Sequence, residues 1–445
     1  MVRRAGPAPA WGYAVAIVLI AAAIVVPAVT GWRVRADDFP PLHSIWKPRF
    51  GPGTVPALGI AVLAVLFASD LARRLRWRLL LLLAFVASAA WMICLALVDG
   101  LDGIGVVLER KGEYLLTARS VTDVGALLHD YISRIPLDSA HHWPIHVAGH
   151  PPGALLFFVG LVHLGLGSGL AAGFTVILIA ATIPVAVLIT LSRLGAADAA
   201  RTAAPFLVFG PAAIWMAVSA DAMFAAVAAW ALCCLAVAAT SRGLPVVLWG
   251  AASGLLFGCC VMLSYGLPLL AVLAAAVLVA ARSWRPLPVA LIAAIAVVLA
   301  FAAAGFAWWQ AYPVLTARYW AGIASERPYA YWVWADLAAL AISAGPLVGA
   351  SIGAAIGASL SRARRTVGPS TGSRTIVILT LAAVIAVLLA DLSGMSKAEV
   401  ERIWLPFVPW LLLGTAFLGA RWQRPALAAQ LVFALIVQHL LNTRW

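Results

Sequence analysis

The residues best equipped for chemistry lie in one polar stretch, residues 99–151, between two long apolar segments. It holds several acids, and four of the chain's eight histidines fall within ten of its residues. A carboxylate there can take a proton from a hydroxyl group, and imidazole or guanidinium groups can hold a leaving phosphate. Long loops in compact proteins usually have a function, so we expect this stretch to carry catalysis.

Four acids of the stretch are candidates for the catalytic base, namely Asp99, Asp102, Glu109 and Glu113. Asp99 emerges directly from an apolar segment, which fixes its position relative to the membrane. Glu113 lies within a Gly-Glu-Tyr-Leu run. The residue types alone do not choose among the four, and each acid can instead be a solvated loop residue.

The histidines of residues 141–150 have three readings. Four imidazoles are enough ligands for zinc, but Pro144 and Gly149 break any helix that would align them. The favoured reading is that His146 and His150 donate hydrogen bonds to a phosphate, because the prolines after His150 can open a helix whose first N–H groups attract anions. An unliganded interfacial cluster is the third reading. No residue is assigned as a metal ligand.

Three polar residues outside the stretch join the candidate site. Asp221 stands at the mouth of an apolar segment, and Arg402 opens another in the run ERIWLP. Arg318 lies, with Arg327, in a segment at 307–334 that is crowded with tryptophan and tyrosine. Each arginine is a phosphate ligand or an interfacial anchor. The aromatic residues have two interpretations. They are an ordinary interfacial belt, or they have a function and stack on sugar rings or line a groove for a polyprenyl chain.

Composition predicts an all-α polytopic membrane protein with about 13–14 transmembrane helices. The chain has 445 residues, of which 64% are hydrophobic and 11% charged, against about 25% charged in soluble domains. Long runs of alanine, leucine and valine favour helices over barrel strands. The net charge of +13 suits anionic membrane lipids. The sequence has no long basic soluble face, so we expect no nucleic-acid partner.

The predicted organisation has three parts: N-terminal transmembrane helices at 1–98, an extracytoplasmic catalytic loop at 99–151, and a transmembrane core at 152–445 with the aromatic loop 307–334. Basic residues of short loops, including Arg3, Arg4 and Arg73, are expected to face the cytoplasm of a plasma-membrane protein. This orientation requires an odd number of crossings between residues 150 and 193. Either the short segment 152–167 is incomplete or re-entrant, or one basic loop departs from the rule.

A resemblance to a known family rests on four short motifs. They are Glu113-Tyr114 with Ala118, the run HPPG at 150–153, the run SAD at 219–221 and the run ERIWLPFVP at 401–409. Together they resemble the GT-C superfamily of integral-membrane glycosyltransferases, in its branch of protein mannosyltransferases and aminoarabinose transferases, and are similar to actinobacterial members of that branch. The resemblance spans roughly residues 80–440.

The resemblance implies an inverting sugar transfer outside the cytoplasm, from a polyprenyl-phosphate donor to a lipid, glycan or protein acceptor. It also implies a carboxylate base in the first large outer loop, with His150 and Arg402 near the donor phosphate. Some members need a divalent metal and others do not. The chain departs from the branch pattern, since two extra helices precede the large loop and the loop has no Asp-Glu dipeptide.

Two other functional classes stay open at this point. A multi-pass transporter or lipid flippase would place charges near the middle of the membrane, whereas the charges here crowd one surface. A non-catalytic assembly factor would tolerate replacement of the loop acids.

Overall fold

The computed structural model describes residues 8–36, 38–363 and 371–443. The predicted all-α polytopic class is confirmed, because the described chain is built from apolar helices with one pair of two-residue strands. Seven helices are long and apolar enough to cross a membrane, and they are Ala8–Thr30, Thr54–Arg74, Trp77–Asp99, Gly169–Arg193, Ala220–Ala239, Leu244–Leu263 and Thr371–Leu392. The N-terminal Arg3 and Arg4 used above for orientation lie outside the described residues.

Two further spans are bent pairs of helices, which brings the described total to at most nine. Leu287–Ala303 and Trp308–Ala321 meet at 74°, and Tyr329–Ser343 and Leu347–Ser361 meet at 103°. Three shorter apolar helices complete the set, namely Pro152–His163, Leu267–Ala281 and Val408–Phe417. These numbers are lower than the expected 13–14 because several apolar stretches of the sequence are broken into shorter helices.

The remaining elements are short, except for the 21-residue helix Ala420–Leu440, which begins near Asp70 and ends near Asp99. They are the helices Ala197–Val208, Ala213–Met216, Val400–Ile403 and Ala420–Leu440, and in the polar stretch Asp102–Gly105, Val107–Glu109, Tyr114–Arg119, Val124–Asp130, Ile132–Arg134 and Ile145–Gly149. The two strands, Ile45–Trp46 and Leu441–Asn442, pair antiparallel. The segment 307–334, expected as an aromatic outer loop, is mostly helical.

Small residues let the helices approach closely. Gly12 and Gly349 face each other between Ala8–Thr30 and Leu347–Ala363, and a Cβ atom on Gly349 would lie 2.1 Å from the Gly12 carbonyl oxygen. A Cβ atom on Gly254 would lie 2.2 Å from the Ala290 carbonyl oxygen. The hydrophobic effect does not drive helices together inside a membrane, so close backbone contacts of this kind stabilise helix association there.

The bundle has two distinguishable ends. The site end carries Asp99, Asp221 and Arg402, and the basic end carries Arg74 and Arg193. Helix Trp77–Ala96 runs between the ends and has 20 residues, so the ends are about 30 Å apart.

Helix Pro152–His163 stays at the site end. Its 12 residues span about 18 Å, less than the roughly 30 Å of a hydrocarbon core. Gly153 packs on the Met262 carbonyl at the end of Leu244–Leu263, and Arg119 of the polar stretch donates to the Gly167 carbonyl. This agrees with the expected re-entrant segment, and the chain then crosses once before Arg193.

Candidate functional site

A buried guanidinium group, that of Arg402, joins three distant segments at the site end. It donates to Asp221 Oδ2 at 2.7 Å, to Glu399 Oε2 at 2.9 Å and to His146 Nδ1 at 3.1 Å. The Arg402 side chain is only 5% exposed. Burial of an ionised arginine is tolerated because both facing carboxylates compensate its charge. This arrangement therefore fixes the relative positions of the polar stretch, the Asp221 helix and residues 399–402.

Local structure explains why Asp221 lies there. Ser219 caps the helix Ala220–Ala239, since its Oγ accepts the Ala222 N–H at 3.3 Å. Asp221 therefore falls in the first helical turn, where the helix dipole favours a negative charge. The Asp221 carboxylate is thus held both by its own helix end and by Arg402.

The backbone before Arg402 is strained. Ala398 and Glu399 both have left-handed conformations, with φ of 68° and 61°. Such conformations cost on the order of 1–3 kcal/mol for residues other than glycine and cluster at functional sites. The Ala398 N–H donates to Asp336 Oδ1 at 3.0 Å, which helps to hold the turn. The strained turn aims the Glu399 carboxylate at Arg402.

Glu113 faces this network from the polar stretch. Its side chain is 10% exposed, and its Oε1 lies 3.7 Å from His146 Nδ1. Burial raises the pKa of Glu113 from 4.5 to about 7, against an opposing effect of the Arg402 charge. A carboxylate with a pKa near neutrality is well suited to take and return a proton. Of the four acids proposed as the base, Glu113 is the one that lies beside the Arg402 network, whereas Glu109 pairs with Arg119 and accepts the Gly169 N–H at 3.0 Å.

The two histidines of the network are neutral near pH 7. Burial and the Arg402 charge lower the pKa of His146 to about 3, and burial also lowers the pKa of His150. A guanidinium can only donate, so His146 Nδ1 must accept from Arg402 and the ring proton sits on Nε2. His150 Nδ1 lies between two groups, 2.9 Å from the His146 carbonyl oxygen and 2.7 Å from the Tyr114 hydroxyl oxygen.

Tyr114 lies between His150 and Phe158 of the helix Pro152–His163. Its hydroxyl oxygen lies 2.7 Å from His150 Nδ1, and its ring stacks on Phe158 at 5.3 Å. Tyr114 is fully buried, as is Tyr131, whose hydroxyl donates to the Val147 and His150 carbonyls. The polar stretch is therefore packed into the bundle core, not suspended above it.

A second group of cations lies next to Glu399. Arg327 donates to the Lys397 carbonyl at 2.7 Å and to His43 Nε2 at 2.7 Å, and it approaches Glu399 at 4.0 Å. Within the described part of the chain, the buried Arg327 Nε–H has no hydrogen-bond partner. The Lys397 ammonium donates to the Arg327 and Ala324 carbonyls and lies 4.6 Å above the Trp320 ring.

Sequence reasoning assigned no role to Glu399 or Lys397. Their signal is the polar run SGMSKAEVER at 393–402, which interrupts two apolar segments. Spacing alone does not reveal which of its charges turn inward. The left-handed turn at Ala398 and Glu399 directs the Glu399 side chain toward Arg402.

The structure places three predicted site residues elsewhere. Asp99 pairs with Arg49 at 3.0 Å, near the last helix. Asp102 is exposed at the start of its short helix. Arg318 donates to the Trp143 carbonyl at 2.9 Å and to the Ile135 carbonyl, so it anchors the polar stretch to the helix Trp308–Ala321. The network thus gathers Glu113, His146, His150, Asp221 and Arg402 from the predicted set.

An aromatic cluster flanks the network. Trp308 and Tyr312 stack at 5.3 Å with an interplanar angle of 5°, and Tyr265 packs against both rings. Among the described residues, the buried Tyr265 hydroxyl and Trp308 Nε1 have no hydrogen-bond partner. Phe306, just before this helix, packs against Tyr131, which itself donates to His150. The aromatic and polar groups therefore adjoin.

Histidine, cysteine and acid groups with metal-binding geometry are absent from the described residues. The divalent metal that the family resemblance left open stays a prediction.

No protein-family model, curated protein or solved structure matches this chain.

Proposed function

We propose that the chain is a membrane glycosyltransferase that moves a sugar from a polyprenyl-phosphate donor to the hydroxyl group of an acceptor. The observation that carries the proposal is Glu113, a buried carboxylate with a pKa of about 7, beside the buried cation Arg402. A proton acceptor next to cationic groups is what displacement of a phosphate by a hydroxyl requires.

In the proposed reaction Glu113 takes the proton of the acceptor hydroxyl. The acceptor oxygen forms a bond to the anomeric carbon of the sugar, and the bond from that carbon to the phosphate oxygen breaks. The electron pair of the broken bond leaves with the polyprenyl phosphate. The charge that develops on the phosphate is stabilised by the nearby cations.

Three cationic groups lie in the proposed site of the donor phosphate, namely Arg402, Arg327 and Lys397. Arg402 pairs with Asp221 and Glu399 and is therefore the positioning cation. Arg327 lies farther from Glu399, at 4.0 Å, and the Lys397 ammonium donates to backbone carbonyls, so these two are the groups proposed to meet the phosphate. The Arg327 Nε–H, buried without a partner among the described residues, is a donor available to a phosphate oxygen.

The aromatic cluster of Tyr265, Trp308 and Tyr312 is the proposed platform for the sugar. Its rings offer flat apolar faces, and the Tyr265 hydroxyl and Trp308 Nε1–H are buried polar groups that a sugar hydroxyl can satisfy. The chain is a multi-pass membrane protein, and we place it in the plasma membrane with the site end outside the cytoplasm, as the basic loops indicate.

The test is sugar transfer by the purified protein in proteoliposomes with a panel of labelled polyprenyl-phosphate sugars and membrane-derived acceptors. We expect transfer by the wild type and loss of transfer in Glu113→Gln. Asp138→Asn, which removes an exposed acid of the same stretch, is the matched control. Wild-type protein that consumes no donor would overturn the proposal and favour the transporter or flippase alternative, which is tested by substrate uptake into sealed vesicles.

A further inference from the structure

An apolar groove opens on the side of the bundle, away from the polar network. Three helices form it, namely Thr54–Arg74, Trp77–Ala96 and Ala197–Val208, and its volume is about 370 Å³. The lining residues are all apolar, with small alanines such as Ala84 and Ala87 at its base. Leu63 and Phe67 on its wall are 58% and 52% exposed, so the groove faces the surrounding lipid.

Irregular helix geometry lines the groove on two sides. Residues Ala64–Ala68, which line its middle, form a π-helical turn inside the span Thr54–Arg74. Such turns add a residue to the helix and are frequent at functional sites. Opposite, Pro205 lies inside the helix Ala197–Val208 and also lines the groove.

Three arginines lie at one end of the groove. On the first helix Leu71 lines the groove, and Arg74 follows it by three residues on the same face. On the second helix Leu80 lines the groove near the helix start, and Arg76 is the N-cap residue of that helix. On the third, Arg201 lies one turn before Pro205.

Observed contacts agree with this placement. Arg201 donates to the Ala72 and Leu75 carbonyls at 2.7 and 2.9 Å, so its guanidinium lies where the first two helices meet. It also lies 5.5 Å from the Trp77 ring. Arg74 and Arg76 are exposed beside it. By contrast, Arg73 and Arg424 on the neighbouring face are already paired with Asp70.

We propose that this groove binds an acyl chain of an anionic phospholipid, with the lipid phosphate held by Arg74, Arg76 and Arg201. An apolar trough that ends in a cluster of arginines matches a molecule with an apolar chain and a negative headgroup. The groove ends at the basic end of the bundle, about 30 Å from the site end, so its occupant is separate from the proposed sugar donor.

The experiment is native mass spectrometry of the purified full chain in mixed micelles that contain equal amounts of phosphatidylglycerol and phosphatidylcholine. We expect the wild type to retain phosphatidylglycerol preferentially. The double variant Arg74→Gln/Arg76→Gln should lower the ratio of retained phosphatidylglycerol to phosphatidylcholine by about tenfold. The matched control is Arg282→Gln/Arg285→Gln, which removes two exposed arginines from the same end without touching the groove.

A second variant tests the apolar part. Ala87→Trp fills the base of the groove and should reduce retention of phosphatidylglycerol while leaving the arginines intact. Equal retention of the two lipids by the wild type, or an equal loss of preference in the control double variant, would overturn the proposal. A benzophenone amino acid at Phe67 gives an independent readout, because the mass of its crosslinked product identifies the lipid. Crosslinking to phosphatidylcholine as readily as to phosphatidylglycerol would also overturn it.

Discussion

The guanidinium of Arg402 lies 2.7 Å from the carboxylate of Asp221, although 181 residues separate the two in sequence. Both side chains are 5% exposed, and Glu399 completes the pairing at 2.9 Å. This ion pair connects the start of the transmembrane helix Ala220–Ala239 to the strained turn before the short helix Val400–Ile403. The polar stretch contacts the pair through His146. The stability of the site therefore depends on the charge balance around Arg402.

Arg402→Gln should destabilise the protein more than Asp221→Asn does. Removal of Arg402 leaves the buried Asp221 and the partly buried Glu399 without their shared cation, and loss of one partner of a buried pair typically costs about 3–5 kcal/mol. Asp221→Asn leaves Arg402 paired with Glu399 and should cost less. The free energy of unfolding in detergent, measured by denaturant titration, checks the order. Equal losses would show that Glu399 does not share the charge.

Sugar transfer, if Glu113 is the base, should rise with pH through about 7. The pKa of Glu113 is raised to about 7, so the group is protonated and inactive below that value and ionised above it. The measurement is the transfer rate at saturating donor from pH 5 to pH 9. The variant Asp138→Asn should keep the wild-type profile, while a flat wild-type profile would assign the proton transfer to another group.

Glu113→Gln should make the protein more stable at pH 8 while it abolishes transfer. The folded-state pKa of Glu113, about 7, exceeds the ordinary 4.5, so the contribution of this group to stability is full below pH 4.5 and is lost as pH rises through 7. The stabilisation by glutamine should therefore be present at pH 8 and absent at pH 4. Thermal denaturation of both proteins at the two pH values tests the sign.

Gly254→Leu should weaken the packing of Leu244–Leu263 on Leu287–Ala303. A Cβ atom at this position would lie 2.2 Å from the Ala290 carbonyl oxygen, so the two backbones must separate. We expect a lower thermal midpoint in detergent. Gly59→Ala is the control, since nothing lies within 4 Å of the added Cβ and the change should gain about 0.5–1 kcal/mol of helix stability. An unchanged midpoint in Gly254→Leu would contradict close packing at this contact.

Arg318→Gln should loosen the polar stretch. Arg318 donates to the Trp143 carbonyl at 2.9 Å and to the Ile135 carbonyl, and it is the anchor between this part of the stretch and the helix Trp308–Ala321. We expect faster cleavage by trypsin after Arg134, with cleavage after the exposed Arg282 at the other end of the bundle as an internal control. Limited proteolysis followed by mass spectrometry makes the comparison.

Much of the architecture could be predicted from hydropathy alone. The all-helical membrane class and the re-entrant nature of the segment after His150 follow from run lengths and loop charges. The breaks in the apolar segments could not be predicted, because an apolar run such as 335–359 looks continuous whether or not its two halves bend by 103°. Hydropathy reports burial in lipid or protein and not the direction of a helix axis.

The site was predicted in part. Histidines next to helix-breaking prolines and an arginine at a segment boundary pointed to His146, His150 and Arg402. The choice among the acids depended on which of them the fold buries beside Arg402. Glu113 is held there because its neighbour Tyr114 packs on Phe158, a residue of a different segment. Local sequence carries no signal for it. Asp99, which looked fixed in position, instead meets Arg49.

Glu113 makes the network responsive to the pH of the medium. With the pKa of His146 near 3 and that of Glu399 near 2, neither group changes its charge between pH 5 and pH 9. Burial moves the pKa of His150 in the same downward direction as that of His146, whereas burial raises the pKa of Glu113 to about 7. Acidification of the medium through neutrality would therefore protonate Glu113 and switch off the proposed proton acceptor while Arg402 keeps its charge.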